Sequence, residues 1–145
     1  METIVQQFNR GRIRYLLIGG QAVRLEGMPR FSMDWDFYIP PRDEVNITAI
    51  NAILGTELDT PLLPLGPRGE NFVQTYQIRA GIIQFHLGGP GLPPFDEAEQ
   101  RRVQQRLEGG TPVWCLSGSD LLKSKETANR PQDQNDIVFL REKYP

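Results

Sequence analysis

The sequence predicts one mixed α/β (α+β) domain, a sheet flanked by helices. Its 145 residues are enough for a single domain with a substantial core. Its composition, with 39% hydrophobic and 23% charged residues, is that of an ordinary globular protein. Apolar runs rich in β-formers alternate with segments of helical spacing, and Gly or Pro separates them. We expect one domain over 1–145, with a core at 1–95 and a C-terminal strand and helices at 96–145.

The first half of the chain predicts an alternation of helices and strands. Ile4, Val5 and Phe8 share one helical face, whereas "RIRYLLI" and "DWDFYI" are rich in residues that favour strands. Glycine and proline set the boundaries of these elements. In order, the predicted elements are a helix at 2–9, a strand at 12–18, a short helix at 21–27, a strand at 34–39 and a helix at 42–54.

The second half predicts a hairpin followed by helices. Residues 55–70 are rich in Gly and Pro and predict a loop. Two strands with a turn at Ala80-Gly81 account for residues 72–89. Ser117 or Ser119 caps the next-to-last helix, and Pro131 opens the last one. The remaining predicted elements are a polar helix over 95–110 and a short strand in "PVWCL".

Charge and cysteine content exclude several classes of protein. The formal net charge of −2 gives no overall basic field, so general nucleic-acid binding is not favoured. The single cysteine, Cys115, excludes an internal disulfide, and its apolar surroundings predict a buried small hydrophobe. No apolar stretch predicts a signal peptide or a membrane helix. We therefore expect a cytoplasmic protein with no membrane partner.

Two carboxylates lie one residue apart in the strand at 34–39. Alternate residues of a strand point to the same side, so Asp34 and Asp36 share a face while Trp35 and Phe37 point to the other. Close carboxylates repel each other unless a cation lies between them. A divalent metal fits, and oxygen ligands favour Mg²⁺ or Mn²⁺. Alternatively, both aspartates face solvent on a half-exposed strand.

The Gly19-Gly20 pair ends one strand just before a helix. Backbone N–H groups at such a turn can bind an anion, and glycine lets the anion approach closely. The alternative is an ordinary tight turn between strand and helix. Together with the Asp34–Asp36 pair, the turn indicates a phosphate site beside a metal site, which suits a nucleoside triphosphate with Mg²⁺.

These residues resemble the signature of the DNA polymerase β-like nucleotidyltransferase superfamily. "GGQA" followed by "RFSMDWD" matches its pattern of Gly-Gly, a short helix and Arg-x-[Ser/Thr]-x-Asp-x-Asp. The resemblance implies a minimal nucleotidyltransferase fold in which Asp34 and Asp36 are catalytic and bind the metal. It also implies that a set of residues at the turn and the following loop binds the nucleotide: Gly19, Gly20, Gln21, Arg30 and Ser32. For Arg30 the residues alone leave open a surface ion pair with Glu26 or another carboxylate.

The C-terminal segment "DLLKSKETANRPQDQNDIVFL" resembles that of small bacterial members of the superfamily, including toxins of type IV toxin–antitoxin systems. A lysine there precedes an Arg-Pro-x-Asp-x-x-Asp helix start. Lys125 is accordingly expected to reach a phosphate, although a lysine on a helix is commonly solvated. We assign Asp133 and Asp136 a structural role at the start of the last helix, with pairing to Arg130.

The resemblance implies transfer of a nucleoside monophosphate from a nucleoside triphosphate to a hydroxyl group. The chain departs from the family at Gln84, where active members carry a third carboxylate. His86 lies two residues on, on the same face, and is expected either to take part in catalysis or to be a partly buried, hydrogen-bonded imidazole. A catalytically impaired nucleotide-binding or toxin–antitoxin partner domain is therefore the alternative function.

The acceptor cannot be read from the sequence, and an RNA, a protein or a small molecule all fit the expected chemistry. The shortness of the chain suggests that a protein partner or a homo-oligomer completes the acceptor site. The arginine-rich segment 99–106 predicts a solvated helix face, and it is also the best local place for an RNA backbone.

Overall fold

A computed structural model describes all residues, 1–145, as one mixed sheet with helices packed on it. The predicted α+β fold class is confirmed. The six strands lie in the order β3-β4-β2-β1-β6-β5. Their bounds are β1 Leu16–Ile18, β2 Asp34–Tyr38, β3 Val73–Ile78, β4 Gly81–His86, β5 Val103–Arg106 and β6 Pro112–Cys115. β1 pairs with β6 and β2 pairs with β4 in parallel, whereas the other neighbours are antiparallel.

The chain also contains six α-helices and two short 3₁₀ turns. The helices are α1 Glu2–Arg10, α2 Gly19–Leu25, α3 Glu44–Leu54, α4 Phe95–Gln100, α5 Gly118–Ala128 and α6 Gln134–Lys143. The 3₁₀ turns cover Gly55–Glu57 and Pro131–Asp133. Ser117 caps α5 by accepting a hydrogen bond from the Asp120 N–H, which settles the choice between Ser117 and Ser119. None of the helices is both long and apolar enough to cross a bilayer.

The core lies between the central strands and the helices that cover them. Phe8 of α1, Phe37 of β2 and Phe85 of β4 are fully buried and in mutual aromatic contact. Cys115 is buried as predicted, and burial raises the pKa of its thiol to about 12. A thiol in this environment is a packing group and not a nucleophile.

The predicted helix over 95–110 is wrong beyond Gln100. Residues 103–106 form β5, an edge strand that pairs with β6. The arginines are exposed as predicted, but they do not lie on a helix face. Arg101 pairs with Asp120, and Arg102 stacks on Trp114 at 3.8 Å from the ring centroid. Pairing with β6 overrides the helical preference of this Gln- and Arg-rich segment.

The predicted strand at 12–18 is shorter than expected. Arg12 has a left-handed backbone with φ of 54°, and regular pairing begins only at Leu16. Before that point, the side chain of Asn46 accepts from the Arg14 N–H and donates to the Arg14 carbonyl. This buried asparagine of α3 takes the place of a neighbouring strand at Arg14.

Candidate active site

The turn between β1 and α2 brings the backbone next to the carboxylate of Asp36. Gly19 has φ of 70°, a conformation that residues with a side chain rarely adopt. A Cβ at Gly19 would lie 2.5 Å from Oδ2 of Asp36, and one at Gly20 would lie 2.6 Å from Oγ of Ser32. A side chain at either position would therefore displace Asp36 or Ser32. The helix begins at Gly19 itself, two residues earlier than predicted.

Asp34 and Asp36 project from one face of β2. The register places Asp36 opposite Ile18 of β1 and opposite Gln84 of β4. The side chain of Phe37 points to the other face of β2 and is fully buried. The side chain of Asp36 is 15% exposed. The two partly buried carboxylates therefore face an open cleft beside the glycine turn.

Two side chains of β4 contact these carboxylates directly. Nε2 of Gln84 donates to Oδ2 of Asp34 over 3.3 Å. Nε2 of His86 lies 2.8 Å from Oδ1 of Asp36. Since β2 and β4 run parallel in register, alternation puts all four side chains on the same face. The position where the family resemblance expects a third carboxylate thus holds a neutral amide bonded to Asp34.

The loop before β2 is tied to the C-terminal helix. Nη1 of Arg30 donates to Oδ1 of Asp136 over 2.6 Å. The surface pair with Glu26, one of the sequence alternatives, is not formed, because Glu26 binds Lys143 and Tyr144 instead. Asp136 is 1% exposed. Arg30 therefore has a fixed buried partner and is not a free surface cation.

Lys125 joins the same network of charges. Its Nζ lies 3.1 Å from Asp133 and 3.1 Å from Asp136. Arg130 pairs with Asp133 at 2.9 Å. Burial raises the pKa of the Asp133 carboxyl, but Arg130 and Lys125 outweigh burial and leave that pKa below its usual value. The pairing of Arg130 with Asp133 agrees with the sequence prediction, whereas Asp136 pairs with Arg30 and Lys125.

These parts surround one cleft with a volume of about 790 Å³. Of the residues selected from the sequence, eight line it: Gly19, Gly20, Arg30, Ser32, Asp34, Asp36, His86 and Lys125. Gln21 does not, because it is buried and donates to the carbonyl of Ser32, and it borders a separate cavity of about 310 Å³. Its contact holds the loop and does not reach the cleft.

Sequence reasoning missed that Asp133 and Asp136 line the cleft. Their place in the Arg-Pro-x-Asp-x-x-Asp motif was the available signal, but helix position alone suggested a purely structural role. It also missed Phe31, Met33, Phe72 and Val73, which line the cleft and are exposed.

The donor set beside the glycine turn is suited to one divalent cation. Two carboxylates share a strand face, and such oxygen donors match Mg²⁺ or Mn²⁺. No group of three or more His, Cys, Asp or Glu side chains is arranged as a metal site in the structure. Gln84, where the family resemblance expects a third carboxylate, is neutral, so Asp34 and Asp36 are the carboxylates available to a cation beside the turn.

Comparison of the fold with solved structures found a match over nearly the whole chain. A Thermotoga maritima protein described as a "putative nucleotidyltransferase" superposes with a TM-score of 0.53, covering 97% of this chain and 87% of that one. This chain has a nucleotidyltransferase-like fold. Identity between the two sequences is 13%, so the likeness is one of fold. No protein-family model and no curated protein matches the sequence.

The nucleotidyltransferase-like fold accounts for how distant residues meet. The glycine turn follows β1, the carboxylates lie on β2 and the amide and imidazole lie on β4, while α5 and α6 close the other side of the cleft. The likeness does not extend to the toxin–antitoxin subtype, which stays a prediction from the resemblance of the C-terminal segment.

Proposed function

We propose that the protein is a nucleotidyltransferase that moves a nucleoside monophosphate from a nucleoside triphosphate to an acceptor hydroxyl. The observation that carries the proposal is the meeting of Asp36 with the Gly19 turn, where a Cβ would lie 2.5 Å from the carboxylate. An anion-binding turn beside paired carboxylates suits a metal-bound triphosphate. The nucleotidyltransferase-like fold supports the same reaction class.

In this proposal Asp34 and Asp36 hold Mg²⁺ or Mn²⁺, which would polarise the phosphate and neutralise its charge. The backbone N–H groups of the turn at Gly19 and Gly20 are proposed to bind the triphosphate. Three further groups lining the cleft, Arg30, Ser32 and Lys125, are proposed to bind phosphate oxygens. Arg30 and Lys125 would bind phosphate while each is also bonded to Asp136, which fixes the direction of both side chains.

His86 is the proposed acceptor of the hydroxyl proton. Its ring contacts Asp36 and lies on the cleft face of β4. A carboxylate bonded to one ring nitrogen orients the imidazole, so that the other nitrogen can exchange a proton.

The first experiment is labelling of a cell extract with each of the four α-labelled triphosphates and Mg²⁺. Replacing Asp36 with Asn (Asp36→Asn) should lower labelling on the order of 10²-fold or more, because it removes charge where the transferring phosphate is stabilised. Asp59→Asn is the control, since Asp59 is exposed and does not line the cleft. Circular dichroism should show both variants folded. Undiminished labelling by folded Asp36→Asn would reject the assigned role.

A second function, nucleotide binding without turnover, is favoured by one observation. The amide of Gln84 stands at the expected third carboxylate and bonds to Asp34. If the wild-type protein binds Mg²⁺ and a triphosphate but labels nothing, and Gln84→Asp gains transfer, this second function is correct. A role as a toxin–antitoxin partner domain belongs to this alternative and rests on the sequence resemblance.

A further inference from the structure

Exposed apolar side chains border the cleft in two places. Phe31 is 81% exposed and Met33 65% on the loop before β2, and Phe72 and Val73 are exposed at the start of β3. We call these four residues the apolar rim. They account for four of the seven large hydrophobic side chains exposed on the whole protein, and all four line this one cleft. Their placement around one cleft, instead of singly over the surface, favours a binding role.

The basic side chains of the cleft are already paired with carboxylates. The lining contains three basic side chains, Arg30, Lys125 and Arg130, and each is bonded to Asp133 or Asp136. The same lining contains four carboxylates, the two on β2 and these two on the C-terminal segment. Three positive charges against four negative ones leave a formal excess of one negative charge. The proposed complex of Mg²⁺ with a triphosphate is itself negative, so the cleft stays negative when that complex is bound.

The second cavity, which shares Arg30, Phe31 and Ser32 with the cleft, adds no excess of basic side chains. Its charged side chains are Glu2, Arg24, Arg30 and Glu108, which balance. A nucleic-acid acceptor brings a phosphate with every nucleotide, and its binding depends on basic side chains that neutralise them. Neither cavity beside the rim offers an excess of such groups.

We infer that the acceptor is a protein, and that its hydroxyl belongs to a Ser, Thr or Tyr side chain flanked by apolar residues that pack on the apolar rim. This inference rests on the proposed function. The hydroxyl oxygen forms a bond to the α-phosphorus, and the bond from that phosphorus to the bridging oxygen breaks. Pyrophosphate leaves with the electron pair, and the hydroxyl proton passes to His86 and then to water. A neutral or basic peptide suits the slightly negative lining, and its apolar side chains would cover Phe31 and Met33.

The first test compares acceptors directly. Synthetic peptides with a central Ser, Thr or Tyr, flanked by Leu and Phe, by Glu or by Lys, are incubated with labelled triphosphates beside total transfer RNA. Peptides with apolar flanks should be labelled at least tenfold faster than those with Glu flanks, and transfer RNA should not be labelled. Preferential labelling of transfer RNA, or no labelling of any peptide, would overturn the inference.

The second test separates the rim from the nucleotide site. The double variant Phe31→Ser/Met33→Ser should lower kcat/KM for the peptide at least tenfold, and the triphosphate Kd should stay within twofold. The matched control is Val45→Ser/Val138→Ser, because these exposed residues do not line the cleft. Unchanged peptide labelling by the rim variant would overturn the inference, as would a homodimer that this variant dissociates in sedimentation.

The two proposals fail in different ways. A wild-type protein that neither binds a triphosphate nor labels any acceptor contradicts the proposed function itself. A protein that binds the triphosphate and labels RNA leaves the proposed function standing and overturns only the inference about the acceptor.

Discussion

At Gly19 one missing side chain decides the geometry of the candidate site. The backbone there is left-handed, with φ of 70°, and the space that a Cβ would need is occupied by Asp36. Two demands meet at one position: freedom of the backbone and close approach to a carboxylate. Any larger residue would have to move Asp36, and with it the His86 ring bonded to that aspartate.

Gly19→Ala should therefore lose nucleotide transfer on the order of 10²-fold, since the displaced Asp36 can no longer hold charge at the phosphate. Gly69→Ala is a matched control, because Gly69 has a similar φ of 74° but nothing within 4 Å of a built Cβ. Backbone strain should cost each variant about 1–3 kcal/mol of unfolding free energy. Urea denaturation measures the loss of unfolding free energy, and the labelling assay measures the loss of nucleotide transfer. Equal loss of transfer in the two variants would assign the effect to strain and reject the role of close approach.

At the scale of elements, α5 and the segment that leads into α6 are joined by buried carboxylates. Asp133 is fully buried and bonded to both Lys125 and Arg130, and Asp136 is bonded to Lys125 and Arg30. Buried charges are tolerated only when they are paired. The network thereby fixes the C-terminal helices against the loop that precedes β2.

Asp133→Asn should lower the unfolding free energy at pH 7 by about 1–3 kcal/mol, because it weakens the hydrogen bonds to two cations. The pKa of Asp133 is lowered in the folded state, so its contribution is present above the ordinary value of 3.8 and is lost as pH falls below it. Urea denaturation between pH 7 and pH 3 should show the wild-type and variant curves converging at the acid end. The exposed Asp59→Asn variant should follow the wild type throughout. A gap that is constant with pH would contradict this assignment.

Elements marked by local chemistry were predictable, and those set by distant partners were not. The hairpin of β3 and β4 was predicted because strand-forming runs flank Ala80-Gly81. In the structure Gly81 has φ of 132°, a conformation that glycine adopts readily. By contrast, β5 is a short, polar edge strand whose identity depends on pairing with β6, so its composition resembled a helix.

The same distinction applies to the candidate site. Strand alternation and the glycine pair are local signals, and they brought Asp34, Asp36 and the turn to attention. The contact of Arg30 with Asp136 joins residues 106 positions apart, and no local pattern reports it. The hydrogen bond of Gln84 to Asp34 likewise depends on the register of two strands.

At the scale of the whole molecule, the cleft exists only when the chain is folded. Its walls come from the turn after β1, from β2 and β4, and from the C-terminal helices, so that residues from Ile18 to Asp136 contribute. A ligand in this cleft contacts walls that are brought together only by the complete fold. Binding must therefore stabilise the folded state against the unfolded chain.

A triphosphate with Mg²⁺ should raise the Tm of the wild-type protein. At a free concentration 100-fold above Kd the stabilisation is about 2.7 kcal/mol. For a chain of this length that corresponds to roughly 5–10 °C. Differential scanning fluorimetry measures the change, with the triphosphate in EDTA as the control for the metal.

Asp36→Asn should lose most of the Mg²⁺-dependent part of this rise in Tm, because it removes one of the two proposed ligands. No change in the wild-type Tm would contradict both proposed functions, whereas an equal rise in Asp36→Asn would contradict only the metal assignment. A full rise without any labelled acceptor would favour binding without turnover, the outcome that Gln84 predicts.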